Sequence, residues 1–138
     1  MMEKDQFKKM ITDAADKLFI QNKQSKRVST SADGATTIKC SYRGDGGTCC
    51  PVGFMMDDES ARLADLETNS GVTAIYKKGI WGTELTEYQV GILSRLQATH
   101  DKADKVSISF QVQFIEKLRI NSLGWVADYI EGNNDGQV

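Results

Sequence analysis

The chain has 138 residues, 40% of them apolar and 26% charged, with seventeen basic against nineteen acidic side chains and a net charge of −2. That length suits one core, and the ordinary composition argues against wholesale disorder. The charge balance supplies neither the basic stripe of a duplex binder nor the acidic surface of a DNA mimic, and no apolar run approaches the roughly 20 residues a membrane-spanning helix needs.

Met1-Met2-Glu3-Lys4-Asp5-Gln6 is too polar for the apolar region of a secretory signal peptide, so export by that route is not expected. Three cysteines, an odd number, then fit reduced thiols in a reducing compartment, and the expectation is a cytoplasmic protein. From Asp5 to Gln21, Phe7, Met10, Ile11, Ala14 and Leu18 recur at helical spacing opposite a charged face, which predicts an amphipathic first helix. Residues 22–35 are rich in Lys, Arg, Ser and Thr without apolar periodicity and read as an exposed connection.

Thr36-Thr37-Ile38-Lys39-Cys40-Ser41-Tyr42 alternates and is rich in β-branched residues, as a half-buried strand is. Gly44-Asp45-Gly46-Gly47 supplies a turn, and Thr48-Cys49-Cys50 fits a short return strand that Pro51 ends. Acidic Asp57-Asp58-Glu59 then predicts a helix start, with Leu63 and Leu66 carrying a short helix to about Glu67. Residues 69–83, with three glycines, read as loop with at most one short strand.

Thr86 and Gln89 form a capping box, and Leu85 can staple onto Val90, so a helix is predicted from Thr86 through Val90, Leu93, Leu96 and His100. Gly91 either weakens that helix by roughly 1 kcal/mol or admits a close backbone. Phe110, Phe114 and Leu118 repeat every four residues and favour helix over 107–120, although the alternation from Val106 to Phe114 also fits a strand. Leu123, Val126, Ala127 and Ile130 make a last apolar segment before a flexible tail at 132–138. The expected fold is therefore α+β, a single domain over 1–138, with a β-hairpin at about 36–50 packed on three or four helices.

Residues able to carry chemistry gather between Cys40 and Glu59. Cys40, Cys49, Cys50 and His100 offer a Cys₃His set for zinc, but vicinal cysteines rarely aim both sulfurs at one metal, and buried thiols are the plainer reading, with thiol redox chemistry a third. Tyr42, Arg43, Gly44 and Gly46, with His100 and Asp101, could bind an anionic ligand, although the P-loop ending and the Rossmann setting are both absent and turn chemistry with a structural arginine explains the Arg-Gly stretch as well. His100 is the only histidine, hence the only imidazole base. Asp101 beside it would point about 100° away on a helix, which favours Asp104 as orienting partner. No serine or cysteine gains a triad, and the acidic run at Asp57, which could hold Mg²⁺, reads more plainly as a helix start. Tyr76, Trp81, Trp125 and Tyr129 could stack bases, but aromatic residues so spaced more often anchor a core or an interface.

The stretch carrying Cys40, Tyr42, Arg43, Gly44, Cys50, Val52, Gly53, Asp58 and Glu59, followed by Leu93-Ser94-Arg95-Leu96-Gln97-Ala98-Thr99-His100-Asp101, resembles an uncharacterised family of small phage and prophage proteins. The likeness spans most of residues 5–101 and departs from the family pattern at the adjacent Cys49-Cys50 pair, at Pro51 and in the aromatic carboxyl-terminal part. It carries no catalytic residue over. It implies a bacterial host cell and an accessory protein that binds a host component, such as a defence protein or its nucleotide signal, with a homodimer as a further expectation. A small metal- or nucleotide-binding protein with its site around Cys40, Arg43, Cys50 and His100 is the alternative, and a virion-assembly role a third.

Overall fold

The computed structural model describes residues 2–67 and 71–133, with the backbone alone at Lys39. Helix α1 (Lys4–Gln21) buries Phe7, Ile11, Ala14 and Leu18 of the stripe expected from its spacing, with Met10 half-buried, and Asn22 ends it in the left-handed region at φ 55°. Strands β1 (Lys26–Thr30) and β2 (Thr36–Cys40) follow as an antiparallel hairpin, with Lys26 opposite Cys40 and Thr30 opposite Thr36. A 3-10 turn over Asp45–Gly47 leads to α2 (Pro51–Met55), α3 (Asp58–Leu66) and α4 (Val72–Lys77). The long α5 (Glu87–Asp101), α6 (Phe110–Ile120) and α7 (Gly124–Asn133) complete the chain.

The α+β class is as expected, but the hairpin lies one segment upstream. Thr36–Cys40 pairs with Lys26–Thr30 in the supposed connection, and the expected return strand at 48–50 contributes only one bridge, between Arg43 and Cys49. The reason is local. Gly34 at φ 85° and an Asp33 carboxylate that accepts from the Ala35 amide and the Ser31 hydroxyl make a tight turn at 31–35, the Asp-Gly chemistry that hairpins favour. Thr48–Cys50 cannot extend as a strand because Pro51 starts α2, with Cys50 as its cap.

The other elements follow their end signals. Asp57 caps α3 through a 2.7 Å bond from the Ser60 amide. The Thr86–Gln89 box closes in both directions, at 3.1 and 2.9 Å. Residues 110–120 are helical, which resolves the helix-or-strand ambiguity, because Phe110, Phe114 and Leu118 share one buried face. The stretch read as loop contains α4, whose Val72 and Ile75 enter the core; residues 69 and 70 of that stretch lie outside the described residues. So does most of the expected tail, 134–138, whereas Gly132 and Asn133 belong to α7.

One apolar cluster joins α1, α2, α5, α6 and α7, with Ile11, Leu18, Leu93, Leu96, Phe114, Leu118 and Ile130 fully buried. Among the described residues, no helix is long and apolar enough to cross a membrane. Gly91 sits inside α5, and a Cβ there would meet nothing within 4 Å, so the close approach its presence allowed does not occur. Gly91→Ala should therefore stabilise the fold by about 0.5–1 kcal/mol, read as a rise in the urea midpoint at unchanged m-value.

Candidate functional site

Of the residues singled out in the sequence, His100 and the 42–50 loop meet at a buried serine. Ser25, just before β1, is fully buried. Its amide donates to His100 Nε2 at 2.9 Å, its carbonyl accepts from the Ser41 amide at 3.0 Å, and its hydroxyl donates to the Thr48 carbonyl at 3.4 Å. The end of α5, the root of the hairpin and the 42–50 loop thus meet at one residue.

His100 has 0% exposure. Because Nε2 accepts a backbone hydrogen, the ring hydrogen is on Nδ1, which donates to Asp101 Oδ1 at 2.8 Å. The orienting partner is Asp101 and not Asp104. The expectation failed because the roughly 100° between neighbouring Cβ atoms is closed by the reach of an imidazole towards a short carboxylate in the last turn of the helix. Gln24 reinforces the joint by donating from Nε2 to the carbonyls of His100 and Asp101, both at 3.0 Å, satisfying acceptors that a helix end leaves open. The edge of Phe110 closes over the ring, with centroids 6.0 Å apart. Both ring nitrogens are therefore engaged in hydrogen bonds within the protein.

Arg43 is engaged just as completely. Nε donates to the Gly53 carbonyl at 3.1 Å, Nη2 to the Met56 carbonyl at 2.8 Å and Nη1 to Asp58 at 2.6 Å. Below it, the buried Asp65 carboxylate accepts from the amides of Tyr42 and Arg43 at 2.8 and 3.0 Å, and Arg27 Nη2 lies 3.7 Å away. Gly44 is tied to the Thr48 carbonyl at 2.8 Å. A Cβ on Gly44 would come within 2.6 Å of the Lys26 amide nitrogen, and one on Gly53 would overlap the Tyr42 carbonyl. Gly46 and Gly47 supply positive φ angles of 71° and 76° to the exposed turn. The Tyr-Arg-Gly and Val-Gly pieces of the motif are thus the two sides of one clasp between the 42–50 loop and α2.

The three cysteines are free, Cys50 buried in the core and Cys40 and Cys49 half-buried. Cys50 is fully buried and its sulfur accepts the Gly53 amide at 3.2 Å as the cap of α2. The Cys49 backbone is held at both ends by Gln21, which accepts its amide at 2.9 Å and donates to its carbonyl at 3.0 Å. Burial pushes the Cys40 thiol up to about 11, with Asp101 adding to the shift, and burial likewise raises Cys49, Cys50 and the Tyr42 phenol. None has the lowered value of an activated nucleophile. Among the described residues no three His, Cys, Asp or Glu side chains gather where a metal ion could be held, so Cys40, Cys49, Cys50 and His100 do not form the tetrahedral set that their count allowed.

The aromatic candidates divide. Trp81 is buried, and the Tyr76 hydroxyl bonds to both the amide and the carbonyl of Leu85 at 2.8 and 3.0 Å. Trp125 and Tyr129 reach the surface, where the Lys8 ammonium lies 5.6 Å from the centre of the Trp125 ring. The residues that sequence reasoning missed are Gln21, Gln24, Ser25 and Asp65, polar side chains whose long-range partners leave no local signature. No family model, curated protein or solved structure matches this chain.

Replacing Arg43 with Ala orphans the buried-side carbonyls of Gly53 and Met56, and a stability loss of about 2 kcal/mol is expected by urea denaturation; a protein of wild-type stability would return Arg43 to the ligand-binding reading. The thiols give a second check. Since Cys40 is raised in the folded chain, its contribution to stability is full below about pH 9 and is lost as the pH rises towards 11. In native protein at pH 8, a disulfide reagent should label Cys49 first, Cys40 far more slowly because only about a thousandth of it is thiolate, and Cys50 only on unfolding.

Proposed function

We infer that this chain is a phage or prophage accessory protein that acts in the cytoplasm of a bacterial host by binding a host protein, and that hairpin β1–β2 is the arm it binds with. The observation that carries this reading is the exposure of the hairpin. Val28 and Ile38 face one another across the two strands and remain 55% and 63% exposed, as do the side chains flanking them from Arg27 to Thr30. A two-stranded ribbon with aliphatic residues facing water is poorly stable alone and is a natural place for a partner to cover.

Its foot adds to the case. A cleft of about 320 Å³ opens there, lined by Lys23, Lys26 and Lys105, by Asp104, and by the apolar Val106, Ile108 and Phe110. Lys26 belongs to both, since it lies two residues before Val28 on the same face of β1. An apolar face rimmed by lysines suits a partner surface that carries aliphatic and acidic side chains together. The resemblance to phage and prophage proteins supplies the setting. A nucleotide signal as the bound species is less favoured, because the arginine that would hold its phosphates is spent on Gly53, Met56 and Asp58.

The test is affinity capture from host lysate with quantitative mass spectrometry, comparing wild type with Val28→Asp. A host protein retained by wild type and reduced at least tenfold by a variant of unchanged melting temperature is the expected result, a burial penalty of the size an unpaired interfacial carboxylate brings. Equal retention by both proteins would remove the hairpin from the reading.

A further inference from the structure

The two edges of the hairpin are not equivalent. The Val28 amide donates away from β2, to Asp45 Oδ2 at 3.0 Å, which makes Val28 and Ile38 a non-hydrogen-bonded pair of the ladder. The flanking bonds agree with that parity, since the Ser31 amide donates to the Ala35 carbonyl and the Ser41 amide to the Ser25 carbonyl. The outward groups of β1 are therefore met near Val28 by the 45–47 turn. Along β2 the outward amides and carbonyls are those of Thr36 and Ile38, and among the described residues no hydrogen bond reaches them.

We propose that the free edge of β2 pairs with the same edge of a second copy of this chain, giving a four-stranded antiparallel sheet with its two-fold axis at Thr37. Three observations select a second copy. The edge is self-complementary, because about that axis the outward amide and carbonyl of Thr36 meet those of Ile38 in the other copy, and the reverse, for four backbone hydrogen bonds. The register sets Lys39 opposite Ala35 and Thr37 opposite Thr37, so no like charges face one another. The edge has no proline and its register with β1 is continuous, although it is only five residues long and includes Lys39, both of which restrain edge pairing. Val28 and Ile38 of both copies then share one face of the joined sheet, doubling the apolar surface that the proposed host partner would cover. The dimer stands on edge geometry alone, so it can hold or fail independently of that partner.

The sheet edge is short, so the dimer is weak and depends on concentration. Sedimentation of the purified full chain from micromolar concentration to on the order of 1 mM should show monomer passing to dimer. Ile38→Pro removes an amide that points away from β1 and so leaves the hairpin ladder intact; it should stay monomeric at every concentration with an unchanged melting temperature. Thr37→Cys should cross-link to itself under mild oxidation, since the two-fold brings the two Thr37 positions into the spacing a disulfide spans, whereas Ser29→Cys, on the other strand, should not. A wild-type protein monomeric throughout, or an Ile38→Pro protein as dimeric as wild type, overturns the proposal. Loss of host-protein capture by Val28→Asp with the dimer retained would separate the two surfaces.

Discussion

The geometry of the molecule turns on one buried hydrogen bond, from the Ser25 amide to His100 Nε2. It joins residues 75 apart, both of them fully buried. In such surroundings an unmade bond costs far more than a made one gains, so the partners are held in register with little slack. Asp101 fixes the tautomer and Gln24 fixes the end of α5, so the ring cannot turn away. The hairpin begins one residue later, and its direction out of the helical body is set by an imidazole that is built in as structure.

The clasp at Tyr42–Gly53 supports the same joint from the other side. Two backbone amides and the Arg27 guanidinium converge on Asp65, whose carboxylate is nearly inaccessible to water. A buried charge with that many donors is tolerated, and losing any one of them leaves the remainder under-satisfied. The Gly53–Tyr42 contact admits no side chain, so α2 lies directly against the loop backbone. Arg43 then spans from the loop to α2 and the start of α3. The exposed pair with Asp58 adds little to this, because water screens it; the two carbonyl bonds matter more. A motif that reads as an anion cradle in one dimension is a set of backbone braces in three.

The sequence was most informative where physics is local. The stripe of α1, the cap of α3, the Thr86–Gln89 box and the Phe110–Leu118 repeat all depend on neighbours within four or five residues, and each was legible. The hairpin was half legible. Ile38 and its β-branched neighbours marked β2, but β1 contains a single aliphatic residue and sits in a Lys-, Arg-, Ser- and Thr-rich stretch that reads as a connection. Helix α4 was hidden by the glycines around it. The candidate site was legible as a cluster and misjudged as chemistry, because Ser25, Gln24 and Asp65 reach across 22 to 77 residues and leave no periodicity behind.

A consistent division of labour results. The groups with the greatest chemical capacity, the imidazole, the Arg43 guanidinium and the Cys50 thiol, are turned inward and satisfied by the protein itself. On β2, by contrast, the outward amides and carbonyls of Thr36 and Ile38 have no hydrogen-bond partner among the described residues, and the exposed side chains of Val28 and Ile38 lie beside them. Such groups recognise shape and backbone, and what they require is a fixed orientation. A projecting ribbon on a slack hinge would lose much of its binding free energy to ordering, whereas one rooted in the Ser25–His100 joint and the Asp65 clasp is oriented before any partner arrives. On the reading proposed above, the internal network and the exposed hairpin would be two halves of one device, with the buried polar groups holding still the strand edge proposed to pair.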